Sequence, residues 1–540
     1  QTLAVLGKEF PLGLVREAAG RPEDELDRML RHLQVGEFIY EQPAFPEPEY
    51  SFKHGLTQEV AYNSVLTERR RLLHGRIGAA LEKLYANWLE DHLPELAHHF
   101  ARSADTAKAV EYLLKAGQSA AQRSVSKEAL DRFEAGLRLL ESLPAGPARD
   151  QRELAIRVAM WLPLLEVRGF AAAEIEVNLK RARELCDQTG APAGILFQVI
   201  DGLRSLYIFS AKFAMAHSLA AEMVALGKEQ NDEIASLRGH VWLGVIYELT
   251  GEYRAVAAPL QHSVAVCDHL LPGCPQPTLR PVTNSLINCL LHLSMTSWFL
   301  GRPEQAMRHM GRLLALPEQL CAKWDIGLII NSEFSMRCLL LRDYYRAREN
   351  AEAMTALARQ NGFSIWEALG SVMLGYVAVH AEDFDAGIKA ILEGREMLRA
   401  GDNILFYQLV NPCLVEALLT ARRPGEGLAA VDEAIAAANQ FDLRRDEAEL
   451  HRLKGQLLLL SGALESEAEA SIRRAVKIAQ RQDAKGWELR AAASLARLLR
   501  KQGRTDEARQ ALAPVYNWFT EGFDTADLKD AKALLDELGG

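Results

Sequence analysis

Apolar positions recur along this chain at helical spacing, and a turn residue interrupts them at regular intervals. Ala211, Gly251, Gly301, Arg342, Glu382, Arg422 and Gly503 stand at those turns, stepping by 40, 50, 41, 40, 40 and 81 residues. The last step is two beats, with a slightly stretched unit near Gly462 between them. Five residues after each turn comes a compact side chain: Ala216, Val256, Ala306, Ala347, Gly387, Gly427 and Ala508. A fixed period of this size predicts helix pairs stacked end to end, each burying its apolar face against its neighbours.

Seven residues before the turns stand Arg204, Gly244, Ser294, Ser335, Gly375, Val415, Gly455 and Ala496, six of them small. A small residue in mid-helix lets the partner helix approach closely. Two residues after the turns stand Phe213, Tyr253, Pro303, Tyr344, Phe384 and Pro424. An aromatic there covers the corner between helices, and a proline suits the first turn of the second helix. This spacing resembles the tetratricopeptide repeat, with a period near 40 in place of 34. Ten extra residues between Gly251 and Gly301 fall on Leu271–Pro277 and predict a surface loop.

Upstream the beat is fainter, with turns expected at Ser124 and Gly169 and a short linker at Ser142–Pro147. The first ninety residues follow another pattern. Leu12–Ala19 and Glu23–Leu33 read as short amphipathic helices, and Phe38–Glu41 and Tyr50–Lys53 as strands around a Pro-rich turn, Pro43 to Pro48. Helices from His54 and over Glu68–Tyr85 follow. Helices followed by a two-stranded wing suggest a winged-helix domain. At the other end, Asp524-Thr525 offers an N-cap for a helix over Ala526–Leu538 that would close the array.

The expected fold class is therefore all-α: an α-α superhelix of about 40-residue repeats preceded by a small winged-helix domain. The expected divisions are a winged-helix-like domain (1–90), first repeats and linker (91–145), the repeat array (146–523) and a capping helix (524–540).

Composition narrows the function. The chain has 540 residues, 25% of them charged, and a net charge of −10, which argues against whole-surface attraction to nucleic acid or anionic lipid. No apolar run is long enough to cross a bilayer, and the start has no signal-peptide layout. A first residue other than Met points to a fragment of a longer chain. The seven cysteines form no C-x-x-C pair and read as buried free thiols in a reducing cytoplasm. The one basic cluster is Glu68-Arg69-Arg70-Arg71 with His74 and Arg76. Glu23, Asp24, Glu25 and Asp27 crowd the helix that would have to read a DNA groove, so protein docking is favoured over DNA binding for this module.

Two longer motifs carry a family resemblance. Tyr50-Ser51-Phe52-Lys53-His54-Gly55-Leu56-Thr57-Gln58-Glu59-Val60-Ala61-Tyr62 resembles the winged-helix signature of large bacterial signal-transduction ATPases. Phe519-Thr520-Glu521-Gly522-Phe523-Asp524-Thr525-Ala526-Asp527-Leu528 resembles the end of proteins that join a class III adenylate/guanylate cyclase domain, a P-loop ATPase domain and a tetratricopeptide-like array. Ala182–Cys186 also fits. The resemblance implies that this chain is the regulatory C-terminal half of such a protein. It carries no G-x-x-x-x-G-K-[ST] loop and no paired aspartates of a cyclase metal site. No catalytic residue, no metal site and no cofactor are expected here, with ATP or ADP belonging to the absent upstream domain. The resemblance suggests one chemical role: His54, in the matching position, would reach a nucleotide's β-phosphate, since an imidazole can donate a hydrogen bond to phosphate. Packing of the strand-to-helix corner is the other reading of that histidine.

Other signals read as structural. Gly425-x-Gly427-x-x-Ala430 imitates a dinucleotide fingerprint but follows a helix and coincides with a repeat turn. His98 and His99 point about 100° apart on a helix and make poor joint ligands. Trp242, Trp298, Trp366 and Trp487 read as core.

In tetratricopeptide geometry the first helix of each unit lines a concave groove. The residue after the small slot should face it: Met295, Met336, Tyr376, Glu416, Gln456 and Arg497. The expected function is a cytoplasmic, non-enzymatic sensor module. It would bind a protein, peptide or small ligand in that groove, with the protein's own ATPase and cyclase domains as further partners, and no membrane or nucleic-acid partner. The alternative is the ligand-sensing part of a DNA-binding transcriptional activator, which would need an added DNA-reading domain.

Overall fold

The computed structural model describes residues 1–44, 47–123, 125–169, 172–401 and 403–539. Ser124, read above as a turn residue, lies outside the described residues, as do Phe45 and Pro46 of the Pro-rich turn and Gly540 of the capping helix. The chain forms two compact units, 1–168 with 173–199 and 169–172 with 200–540. The division falls inside the stretch expected as one array.

The smaller unit begins with α1 (Thr2–Leu6), β1 (Glu9–Pro11), α2 (Leu12–Ala19) and α3 (Glu23–Val35). Next come β2 (Ile39–Gln42), β3 (Glu49–Phe52), α4 (Gly55–Asn63) and α5 (Thr67–Leu84). The strands pair antiparallel in the order β1-β3-β2, with Phe10 opposite Tyr50 and Ile39 opposite Phe52. The sequence pattern missed β1: its three residues are too few to alternate, and only pairing with β3 makes them a strand. The centre strand buries Tyr50, Ser51 and Phe52 in succession, and Phe10, Val15, Ile39 and Ile77 complete this core. Glu23, Asp24 and Glu25 occupy the first turn of α3, where the helix dipole favours negative charge. Helices α6 (Leu93–Ala101), α7 (Thr106–Gln122), α8 (Ser126–Leu140), α9 (Pro147–Arg168) and α10 (Ala173–Thr189) follow as antiparallel neighbours, and α11 (Ala193–Phe209) contributes its first residues, to Val199.

The larger unit continues with α12 (Phe213–Gln230), α13 (Glu233–Leu249), α14 (Tyr253–Leu270), α15 (Gln276–Phe299) and α16 (Pro303–Leu314). Its middle is α17 (Lys323–Met336), a π turn over Arg337–Leu341, α18 (Tyr344–Asn361), α19 (Ser364–His380), α20 (Phe384–Ala400), α21 (Ile404–Leu409), α22 (Asn411–Thr420) and α23 (Pro424–Phe441). It ends with α24 (Glu447–Ser461), α25 (Glu465–Arg481), α26 (Lys485–Lys501), α27 (Thr505–Tyr516) and α28 (Ala526–Gly539). The expected fold class holds: an all-α array of tetratricopeptide-like helix pairs, with a small sheet near the start of the chain.

The repeat spacing has a direct cause in the backbone. Ala211, Gly251, Gly301, Arg342, Glu382, Arg422, Gly462 and Gly503 all adopt positive φ, between 48° and 78°. A left-handed residue ends one helix and lets the chain reverse within two residues. The small slots on either side of the turn then meet. Ser294 Oγ donates to the Ala306 carbonyl at 2.9 Å, and Ala216, Ala306, Ala347 and Ala508 are fully buried. The ten extra residues make a shorter loop than expected: only 271–275 connect α14 to α15, and the rest lengthen α15 to 24 residues.

Within the larger unit, helices some 190 residues apart in sequence meet. The Tyr253 hydroxyl donates to the Arg445 carbonyl at 2.6 Å, and the Arg444 and Arg445 amides both donate to the Leu249 carbonyl. Trp298 meets Trp487 edge to face at 4.7 Å between ring centroids. Fully buried Glu248 accepts from His292 at 2.6 Å and faces Arg445 at 3.5 Å. Local periodicity predicts none of these contacts.

Candidate functional site

Forty-residue spacing returns each position to the same place on the first helix of successive pairs. Tyr376 on α19, Glu416 on α22, Gln456 on α24 and Arg497 on α26 are therefore brought together, and all four line one cavity of about 320 Å³. Arg342 at the turn before α18, Arg452 and Arg490 complete its cationic lining, and Asp527 and Asp530 of α28 its anionic lining.

The polar groups form a connected set. The Tyr376 hydroxyl donates to Glu416 Oε2 at 2.8 Å. Arg452 forks onto Glu449 at 2.6 and 2.7 Å and donates to Gln456 Oε1 at 2.6 Å. Arg342 donates to Asp527 at 2.6 Å and to Asp530 at 2.8 Å. Arg490 donates to the other oxygen of Asp527 at 2.7 Å and lies over the rings of Trp298 and Trp487. Asp527 thus ties the turn before α18 to α26 through α28. Arg497 differs: among the described residues its side chain makes no hydrogen bond or ion pair, and it is exposed. Partial burial lowers its pKa, Asp530 opposes this, and the positive charges of Arg452 and Arg342 add to the lowering.

Titration follows the same logic. Burial, then the Glu416 charge, raises Tyr376 well above the ordinary tyrosine range and Tyr344 to about 12, so both phenols stay protonated. Burial raises the Cys338 thiol on the same wall, which leaves no thiolate to act as a nucleophile. With Glu449, which pairs with Arg452, counted beside the three carboxylates of the lining, four guanidiniums face four carboxylates. Such a lining can recognise a polar ligand through fixed donors and acceptors.

The other expected groove residues lie elsewhere. Met295 and Met336 are buried and do not line the cavity. The expectation that they face an open groove needs correction. Where α15 would present its groove face, α26 covers it: a Cβ on Gly486 would meet the Trp298 carbonyl at 2.9 Å. An apolar residue at position 295 suits that covering. His54 is exposed at the N-cap of α4, where its carbonyl accepts from the Thr57 amide at 3.0 Å. It does not pack the corner. The cationic residues of the cavity escaped the sequence reading. One signal could have found Arg342: it holds a left-handed turn position at φ 48°, where Gly251, Gly301 and Gly503 stand in other repeats.

A second set of residues was also missed. Of the adjacent His98 and His99, the structure pairs His99 with His74 of α5. Their Nδ1 atoms are 3.0 Å apart, both rings are buried, and the Tyr62 hydroxyl contacts His74 Nε2 at 3.1 Å. Of the expected core tryptophans, Trp298, Trp366 and Trp487 are buried, while Trp242 is half-buried beneath the buried Arg204 guanidinium at 3.8 Å. The expectation of buried free thiols is met at Cys186, Cys267, Cys289 and Cys338 but not at the partly exposed Cys274, Cys321 and Cys413.

No protein-family model matches this chain. Over 461 residues it is 23% identical to an uncharacterized protein of Rhizobium meliloti strain 1021, a match that covers 83% of this chain and 43% of that protein. The chain thus spans less than half the length of this curated relative. Among solved structures it is similar to a signal transduction ATPase with numerous domains that carries a tetratricopeptide repeat sensor, from Pyrococcus horikoshii. The identity is 12% and the TM-score 0.40, over 97% of this chain and 72% of that one. It is similar to a Rap protein complexed with competence and sporulation factor at 11% identity and a TM-score of 0.38, over 79% and 99% of the two chains. Yeast Tom70 is 13% identical with a TM-score of 0.37, over 80% and 96%.

Proposed function

We propose that this chain is the non-catalytic regulatory and sensor part of a multidomain bacterial signalling protein. It binds a protein, peptide or small ligand inside the larger unit and controls an ATPase or nucleotide cyclase carried elsewhere in the parent protein. One observation carries the reading: Tyr376, Glu416, Gln456 and Arg497, spaced by the repeat period, converge on one polar cavity in which Arg497 makes no hydrogen bond or ion pair among the described residues. The motifs at 50–62 and 519–528, which resemble those of cyclase–ATPase proteins, supply the signalling context. In this reading the residues around the small sheet form a winged-helix relay. His54, exposed at the corner between β3 and α4, would face the nucleotide of the missing domain, in a cytoplasmic setting.

The cavity also offers a route to control. A ligand seated on Arg497 lies among the ion pairs that join Arg342, Asp527 and Arg490. Any ligand that competes for one of those charges favours a different packing of α28, and the shift is set by its affinity difference between the two packings. The test is a screen of small metabolites and peptides against the full chain, followed by Trp298 and Trp487 fluorescence. Support is saturable binding that Arg497→Glu and Glu416→Lys abolish without lowering the melting temperature. ATP or GTP turnover that tracks the protein through chromatography, or retardation of DNA at low salt, would overturn the reading.

A further inference from the structure

The smaller unit holds a groove that the cavity described above does not involve. Helices α7, α9 and α11 and the turn at 189–192 enclose about 700 Å³. The floor is α9, with Leu154, Ala155, Val158 and Ala159. The walls carry amides: Gln118 and Gln122 one helical turn apart on α7, and Gln198 on α11. Gln151 stands at one end of the floor, and the apolar stripe runs on past the groove to Leu162, which is 50% exposed.

No lining residue is charged, in a chain where 25% of residues are. A charged ligand would lose hydration here and find no counter-charge. All four glutamines are exposed, and among the described residues none of their side chains is hydrogen-bonded. Each offers two donors and an acceptor. An extended peptide is complementary to this arrangement. Its N–H and C=O groups line two opposite edges, and alternate side chains point to one face. The stripe from Gln151 to Leu162 runs roughly 16 Å along α9, the length of about five extended residues.

We propose that this groove binds an extended, uncharged peptide segment with apolar residues at alternate positions. The apolar row lies on Leu154, Ala155 and Val158, and the two backbone edges are read by Gln118 and Gln122 on one wall and Gln198 on the other. This is a second site, in a different unit from the Arg497 cavity.

The experiment is a calorimetric titration of the full chain with one defined probe, acetyl-Ser-Val-Thr-Leu-Ser-amide. Two analogues are titrated in parallel: one N-methylated at alternate residues, the other with lysines in place of valine and leucine. The expected result is saturable binding of the probe, with both analogues at least tenfold weaker. Gln118→Ala and Gln198→Ala each weaken the probe about threefold to tenfold, the range of one hydrogen bond. Val158→Asp removes binding while the melting temperature and circular dichroism hold. Arg497→Glu changes nothing, which separates this groove from the cavity of the larger unit. The proposal is overturned if the probe shows no saturable binding up to about millimolar concentration, the weak end of specific recognition. It is equally overturned if the methylated or lysine analogue binds as well, if the glutamine variants bind unchanged, or if Arg497→Glu abolishes binding. Only the last of these results bears on ligand binding at Arg497, where it would place the probe in the cavity of the larger unit.

Discussion

Gly375 and Gly387 face each other across the corner between α19 and α20. A Cβ on Gly375 would meet the Gly387 carbonyl oxygen at 2.5 Å, and a Cβ on Gly387 would meet the Gly375 carbonyl oxygen at 2.7 Å. Backbone, not a flexible side chain, fills the space. Gly375→Ala is therefore expected to destabilise by about 1–3 kcal/mol, and Gly375→Leu by more. Gly311, exposed in α16 with nothing within 4 Å of its Cβ position, is the control. Gly311→Ala should stabilise by about 0.5–1 kcal/mol through helix propensity. Thermal melts of the three variants check the pair, and a rise in melting temperature for Gly375→Ala would refute the close contact.

Met295 gives a second measurement. It is buried in the larger unit, so Met295→Ala should cost about 2–4 kcal/mol, as expected for a core truncation. A groove residue would show little loss of stability and a selective loss of ligand. Urea unfolding distinguishes the two.

Asp527 is the hub of the ties between α28 and the rest of the larger unit, accepting from both Arg342 and Arg490. Its side chain is 12% exposed and that of Asp530 is 46% exposed. Asp527→Ala removes the carboxylate that Arg342 and Arg490 share, leaving Arg342 only the solvated Asp530 and Arg490 only Glu449 at 3.8 Å, and should cost about 2–4 kcal/mol. Asp530→Ala breaks a solvated pair and should cost less than about 1 kcal/mol. Hydrogen exchange over Ala526–Gly539 should accelerate in the first variant and hardly change in the second.

The His74–His99 pair makes the smaller unit sensitive to acid. Burial, then neighbouring histidine and arginine charges, lowers His74 to about 4 and His99 to about 3. His98, Arg70 and Arg102 surround the pair, and among the described residues no carboxylate offsets them. Both folded values lie below the unfolded value near 6.5, so the neutral rings favour the fold. The stabilisation is fully present above about pH 6.5 and is lost as pH falls toward 4, by at most about 1.4 kcal/mol per pH unit for each ring. Stability of the smaller unit should fall by roughly 1–3 kcal/mol between about pH 7 and pH 5. His99→Asn removes one titrating group and should flatten this slope. Equal slopes for the two proteins in urea titrations across this range would count against the pair.

What the sequence determined by itself was the helix pair. A left-handed turn residue, a small residue seven before it and another five after it are local requirements of two helices in close contact. They appear together at Ser294 and Ala306 and at Gly375 and Gly387, while Arg204 and Val415 hold the first of these positions in other repeats. The same period carried Tyr376, Glu416, Gln456 and Arg497 to a common wall. Contacts between distant repeats were decided only by the tertiary structure. Tyr253 meets Arg445, Trp298 meets Trp487, and Arg342 meets Asp527 across roughly 190 residues. Each repeat adds a small rotation whose sum the local pattern does not encode. That sum buried Met295, brought Asp527 into the cavity and left Arg497 with no hydrogen bond or ion pair among the described residues. β1 and the His74–His99 pair have the same origin: three residues become a strand, and two rings a coupled pair, only when distant chain supplies the other half.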